Sequence, residues 1–221
     1  MCLVCRTPAA ATRKMSGERE VELFGGAIRC RLPATAVDVS DFRQVPDTQE
    51  VYTEAETGVC IIVELLARQA DVRDEDCGAF FFSDLARAND CRDGDFKLDA
   101  QRPIALTDYP HVAQLPSGAA AASGRRCAYG CVASGLQRIS KFKNEQGKEN
   151  EVFVALAVLR FLPSISSDVV LSVSAPQWIH PESSEACVVR HLRGREEVLA
   201  VLQRAVSSFE VRDWSLFVPE D

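Results

Sequence analysis

The sequence lacks any long hydrophobic run. No apolar stretch in its 221 residues approaches the roughly 20 that a helix needs to cross a bilayer. Residues 1–18 also lack the continuous apolar core of a secretory signal, and they carry Arg6, Arg13 and Lys14 before the first acid, Glu18. A mitochondrial presequence is conceivable on that composition, but a short flexible tail over residues 1–18 is the preferred interpretation. We therefore expect a soluble protein with no membrane partner.

The chain also lacks an excess of positive charge. Its formal net charge is −7, and its isoelectric point is near 5.1. A nucleic acid backbone requires a basic face, so this balance argues against a nucleic acid partner and favours a basic protein. There is no glycine-rich loop followed by a lysine, and Gly25-Gly26 is only a turn doublet. The chain itself is therefore not expected to bind a nucleotide phosphate.

The nine cysteines form no evident disulfide framework or metal site. Their number is odd, and Cys60 lies inside an apolar run, which is typical of free thiols in a reducing compartment. Cys127 and Cys131 fall in a candidate strand, where their spacing predicts one shared face and a separation of about 13 Å, too far for one ion. A nucleophilic cysteine–histidine pair remains an alternative, although nothing marks one thiol as activated. We expect no metal and no other cofactor.

Apolar patterns predict several short strands in a single domain spanning residues 19–221. Residues 151–162 are apolar on both faces, so that strand needs cover on both sides and belongs in a central layer. The predicted strands are 20–24, 27–32, 50–53, 59–66, 127–142, 151–162 and 169–174, with a short terminal segment at 211–217.

Two segments show helical periodicity. Residues 71–89 repeat apolar side chains at helical spacing, with Asp71 or Asp74 as the candidate N-cap, and residues 195–209 carry one apolar stripe. Residues 90–124 lack such a pattern and are predicted to be a long connection, flexible in its alanine-rich second half. The predicted fold class is therefore α+β, in α/β/α layers, with a central, mostly antiparallel sheet of about six strands flanked by helices on both faces.

Acidic residues crowd the segment 38–56, which Arg43 alone relieves. By charge alone they are most simply a solvated loop, with Pro46 at the second position of a turn. Asp47 and Glu50, however, flank the start of a short strand. A strand can hold two carboxylates in fixed positions, where they suit a lysine or arginine of a partner.

Phrases in this region resemble one known family, the Ran guanine nucleotide release factors. The similar segments are 22–28 (ELFGGAI), 38–40 (DVS) and 43–52 (RQVPDTQEVY), and the VPDTQEV core is the most specific of them. Later parts of the family are similar to residues 61–66, 154–160, 168–173 and 209–217. The N-terminal tail, the connection at 90–124 and the cysteines match no pattern of the family.

The resemblance implies the fold of the extrinsic P subunit of photosystem II, an antiparallel sheet flanked by helices. It also implies binding to the GTPase Ran, release of guanine nucleotide without covalent chemistry, and a role in nuclear protein import, in the nucleus and the cytoplasm. Asp47 and Glu50 would supply the main contacts, and Tyr52 an anchor beside them if it is exposed. The residues expected to contact Ran are Asp38, Asp41, Asp47, Thr48, Gln49, Glu50 and Tyr52.

We expect a monomer. Two alternatives stay open at this point. One is an interaction module of the same fold that binds a partner other than Ran, and the other is a cysteine-dependent enzyme.

Overall fold

The computed structural model describes residues 17–113, 127–140, 145 and 147–217. The strands in these ranges are β1 (Glu18–Leu23), β2 (Ile28–Pro33), β3 (Val37–Asp38), β4 (Gln49–Glu54), β5 (Val59–Ala67), β6 (Phe96–Pro103), β7 (Cys127–Ile139), β8 (Asn150–Phe161), β9 (Ser167–Trp178) and β10 (Glu210–Val211). The α-helices are α1 (Cys77–Ala88), α2 (Pro110–Ala113) and α3 (Arg195–Ser207). No helix of the described segments is long and apolar enough to span a bilayer.

Seven strands form the main sheet, in the order β3-β4-β5-β9-β8-β7-β6, and all neighbours are antiparallel. A second, three-stranded sheet has the order β1-β2-β10 and is also antiparallel. The prediction of a mixed fold with a mostly antiparallel sheet is confirmed. The predicted count of about six strands is not confirmed, since the main sheet has seven. Its membership also differs from the prediction: the first two strands of the chain belong to the smaller sheet, and β3 and β6, which were not predicted, belong to the main one.

Strand β8 explains the layering. Phe153, Ala155 and Leu159 point into a first hydrophobic core, whereas Val154 and Leu156 point into a second. Successive side chains of a strand point to opposite faces, so these two cores lie on opposite sides of the main sheet. An apolar strand with both faces covered is the arrangement that the sequence of residues 151–162 predicts.

Each core receives one of the longer helices. The buried side of α3 joins the first core through residues that include Val198 and Leu202, and this helix contacts β8, β9 and β2. The buried side of α1 joins the second core through residues that include Phe81 and Phe82, and this helix contacts β6, β7 and β8. The stripe of spaced apolar residues in each helix is therefore its packing surface.

Both helices are shorter than the sequence predicts. A 3-10 turn over Asp74–Asp76 precedes α1, and Asp76 takes the N-cap position without a side-chain cap hydrogen bond, so Asp71 and Asp74 are not the caps. At the other end of the chain, α3 ends at Ser207, and Phe209 turns into the first core beyond it.

The segment 90–124 contains a strand that the sequence analysis missed. Residues 96–103 form β6, an edge of the main sheet paired with β7. The two strands approach so closely that a Cβ on Gly135 would lie 2.1 Å from the carbonyl oxygen of Lys97, which only glycine avoids. The alanine-rich half of that segment, the tail up to residue 16 and part of the turn before β8 lie outside the described residues.

Cys127 and Cys131 do not share a face, contrary to the prediction. A register shift between Cys127 and Tyr129 interrupts the alternation along β7. Cys127 consequently joins the first core, whereas Cys131 joins the second and lies 3.4 Å from Cys77, Sγ to Sγ. An extra residue in a strand reverses the faces of everything beyond it, and sequence spacing alone does not reveal it.

Candidate functional site

The predicted site residues gather at one end of the outer strands of the main sheet. β3 is the edge strand and pairs with β4 so that Asp38 faces Tyr52. The strands are antiparallel, so the end of β3 and the start of β4 lie at the same end of the sheet. Asp38 and Glu50 are therefore brought together, with residues 39–48 looping between the two strands. We call the carboxylates of Asp38, Asp41, Asp47 and Glu50 the acidic edge.

The loop after β3 has its own hydrogen bonds. The amide of Val39 donates to the carbonyl of Val51 at 2.8 Å, which ties the loop to β4. The amides of Phe42 and Arg43 both donate to the carbonyl of Val39, at 2.9 and 3.1 Å. The carboxylate of Asp38 accepts from the amide of Ser40 at 2.8 Å. The loop is consequently a compact turn.

Asp47 and Thr48 occupy the centre of a second turn. The amide of Gln49 donates to the carbonyl of Pro46 at 2.9 Å, so Pro46 is the first residue of this turn and not the second. The carbonyl of Thr48 accepts from the amide of Leu65 at 2.9 Å, which fixes the turn to β5. Both central side chains are exposed. A fixed turn with outward side chains presents the Asp47 carboxylate to solvent.

Glu50 is held more tightly than the other acids. Its Oε1 accepts a hydrogen bond of 2.5 Å from the amide of Phe24, which follows β1 and has a φ of +51°. The side chain is half-buried, and this burial raises the pKa of the Glu50 carboxyl. The Phe24 amide lowers the same pKa, and the negative charge of Asp38 adds to the increase. Sequence reasoning gave Phe24 no part in the site, because its contact with Glu50 spans two sheets.

Gln49 and Tyr52 have structural contacts of their own. The Gln49 side-chain amide donates to Glu64 Oε1 at 2.7 Å, across the β4–β5 pair. Tyr52 is 4% exposed and lies in the first core. Burial, with the negative charges of Asp38 and Glu50 beside it, raises the pKa of the Tyr52 phenol to about 12. The sequence analysis gave Tyr52 an anchoring role only if it were exposed. Tyr52 is buried, so it is not such an anchor.

The exposed aromatic residue of this region is Phe42 instead. Its side chain is 78% exposed, between Asp41 and Arg43 in the compact turn after β3. Sequence reasoning passed over it, because a single aromatic residue in a polar loop carries no periodicity. Its charged neighbours give no usable signal, because Val21 also stands between two charged residues and is buried.

The acidic edge is chemically suited to a basic partner. Within the described residues, none of its four carboxylates forms an ion pair with a lysine or arginine of this chain. Such carboxylates can each accept charge-assisted hydrogen bonds from another protein. No group of three or more histidine, cysteine or acidic side chains in the described ranges is placed to hold a metal ion.

Several thiols of the described residues are poor nucleophiles. Burial raises the pKa of Cys30 to about 12 and that of Cys91 to about 11. The hydrogen bond with Cys131, together with burial, also raises the pKa of Cys77. A thiol with a raised pKa stays protonated at neutral pH, and only the thiolate attacks a substrate. These three cysteines therefore give the enzyme alternative no support.

Comparisons with known proteins all indicate the same family. The model of the family described as Ran-interacting Mog1 protein matches residues 21–176. A protein named Ran guanine nucleotide release factor from Danio rerio is 34% identical over 165 residues, covering 74% of this chain and 81% of the relative. A protein of the same name from Homo sapiens is 31% identical over 206 residues, covering 93% of this chain and 100% of the relative.

A solved structure agrees with the sequence relatives. The crystal structure of the Saccharomyces cerevisiae Ran-binding protein Mog1p has 26% sequence identity and a TM-score of 0.61, covering 92% of this chain and 100% of that chain. The family model spans well over half of the sequence and includes all of β2 to β8 and the whole acidic edge. The chain belongs to the Ran-interacting Mog1 family.

Proposed function

We propose that this chain binds the small GTPase Ran through the acidic edge and promotes the release of guanine nucleotide from it. The observation that carries the proposal is the set of four carboxylates, unpaired within the described residues, at one end of β3 and β4 in a member of this family. The relatives from Danio rerio and Homo sapiens are named for this release, and that from Saccharomyces cerevisiae is titled Ran-binding.

The geometry of the acidic edge supports different proposed roles for its residues. Asp47 stands on a fixed turn, and Glu50 is oriented by the Phe24 amide, so these two carboxylates make the direct contacts with basic side chains of Ran. Thr48 and Gln49 shape the backbone between them. Asp38 and Asp41 act mainly through their charge, which attracts a basic surface over a longer range.

Nucleotide release requires no covalent chemistry from this chain. If it binds nucleotide-free Ran more tightly than nucleotide-bound Ran, linkage requires that it weaken nucleotide binding by the same factor. The proposed role is therefore that of a release factor that acts as a monomer in the nucleus and the cytoplasm and supports nuclear protein import. A relative from Saccharomyces cerevisiae carries the name of a nuclear import protein.

The test measures the release of a fluorescent guanine nucleotide from Ran. Wild-type protein is expected to accelerate release in proportion to its concentration, and Asp47→Asn/Glu50→Gln to lose that effect. Asp84→Asn/Glu196→Gln is the matched control, because it removes two exposed acids on α1 and α3 and should keep full activity. No acceleration by the wild type would overturn the function, whereas full activity of the edge variant would overturn the site. A panel of other small GTPases separates a Ran-specific factor from a general interaction module.

A further inference from the structure

Phe42 is exposed to an unusual degree for an aromatic side chain. It is 78% exposed, compared with 52% for Val188, 50% for Leu192 and 49% for Trp178, the next most exposed large apolar residues of the described ranges. Burial of such a ring is favourable, and this chain leaves that free energy unused in its free state. A binding partner is able to recover it.

The backbone below the ring is fixed. Phe42 and Arg43 both donate to the carbonyl of Val39, and Val39 donates in turn to Val51 of β4. The ring is therefore carried on a turn tied to the main sheet, and only its two side-chain torsions remain to be ordered on binding. A rigid aromatic residue of this kind offers contact area at low entropic cost.

The charges around Phe42 have one dominant sign. Asp38 and Asp41 precede it in the loop, and Asp47 and Glu50 follow at the start of β4. Protein interfaces often pair a central apolar anchor with a charged or polar rim, and the anchor contributes most of the binding free energy. An acidic rim selects a partner with basic residues around an apolar hollow.

We propose that Phe42 is the apolar anchor of the acidic edge and inserts into an apolar hollow, bordered by lysine or arginine, on the surface of Ran. The inference rests on the proposed function. The two kinds of residue then have different kinetic effects. The long-range charge of the acidic edge raises the association rate, whereas Phe42, inserted beside the direct contacts of Asp47 and Glu50, slows dissociation.

The experiment measures association and dissociation rates with Ran for Phe42→Ala, Phe42→Leu and the control Leu192→Ala. Phe42→Ala is expected to dissociate about 10- to 30-fold faster, the loss typical of an anchor residue, with an association rate and a salt dependence close to those of wild type. Phe42→Leu should recover most of the slow dissociation. Leu192 is half-exposed and lies outside the edge, so Leu192→Ala should behave as wild type.

The outcomes separate the two proposals. An unchanged dissociation rate in Phe42→Ala, while wild type binds Ran, overturns the anchor and leaves the proposed function intact. Wild type that does not bind Ran overturns both. Because Phe42 packs in neither hydrophobic core, the thermal unfolding midpoint of Phe42→Ala should match that of wild type, which excludes unfolding as the cause of faster dissociation.

Discussion

Among single residues, Glu50 combines a proposed binding role with a cost to stability. Its half-buried carboxyl has a raised pKa, so it takes up a proton at higher pH than an ordinary glutamate. If the Glu50 charge contacts Ran, the affinity for Ran should begin to fall at a higher pH than it would if only exposed carboxylates with ordinary pKa values made the contacts. We expect this loss on acidification in wild type, measured by titration of Ran at a series of pH values, and a flatter profile in Glu50→Gln.

For the stability of the fold, the ionised form of Glu50 should have the opposite effect: it favours binding but disfavours folding. A carboxyl whose pKa is higher in the folded than in the unfolded state binds protons more tightly when folded, so its ionised form destabilises the fold at neutral pH and the penalty fades as the pH falls. Glu50→Gln keeps an acceptor for the Phe24 amide and removes the charge. Its unfolding midpoint at pH 7 should therefore equal or exceed that of wild type, while its affinity for Ran falls. A lower midpoint would contradict this account.

At the scale of elements, a buried ion pair fastens the connection between β5 and α1. Arg160 on β8 and Asp168 on β9 face each other across the hairpin, both fully buried, with Nε and Oδ1 3.1 Å apart. The Arg160 guanidinium also donates to the carbonyls of Gln69 and Val72 at 2.5 and 2.6 Å and to Asp74 at 3.2 Å. One guanidinium thus holds residues 69–74 against the central strands.

Removing one partner of this ion pair should lower the free energy of unfolding much more than replacing both partners with apolar residues. Arg160→Met leaves the buried Asp168 carboxylate with only the Arg68 guanidinium, 4.0 Å from its Oδ1, and we expect a loss of about 3–5 kcal/mol in the free energy of unfolding, measured with urea. Arg160→Met/Asp168→Leu removes both charges and should recover part of that loss. A stability of Arg160→Met within about 1 kcal/mol of wild type would show that the pair does not fasten the connection.

The elements also show what sequence patterns can predict. Strands β8 and β9 were predictable because their apolar residues alternate or run continuously, and burial on both faces requires such runs. β6 was missed because its sequence, FKLDAQRP, mixes charges into an edge strand that the main sheet holds from one side only. The same distinction holds for the candidate site. Asp47 and Glu50 could be proposed from a short sequence motif, whereas the contact of Phe24 with Glu50 and the burial of Tyr52 depend on segments that are distant in the sequence.

For the whole molecule, the two cores determine which thiols are accessible. Cys30, Cys77, Cys127 and Cys131 are buried, Cys60 and Cys91 are half-buried, and Cys187 is exposed. Among these seven described cysteines, we expect a thiol reagent at neutral pH to modify Cys187 first and the four buried ones only after unfolding, as followed by peptide mass spectrometry. Rapid modification of a buried cysteine in the folded protein would reopen the alternative of a cysteine-dependent enzyme.

The strand order has a consequence for how the protein is made. The acidic edge is built on β3 and β4, which reach the rest of the main sheet through β5, and β5 pairs with β9, roughly a hundred residues later. Pairings over such distances close slowly, because a long loop must be ordered before they form. During synthesis the strands of the acidic edge, β3, β4 and β5, leave the ribosome before β9, and the pairings that join them to one another are short-range. A nascent chain therefore carries the complete local meander of the edge before β9 is available to join it to the central strands.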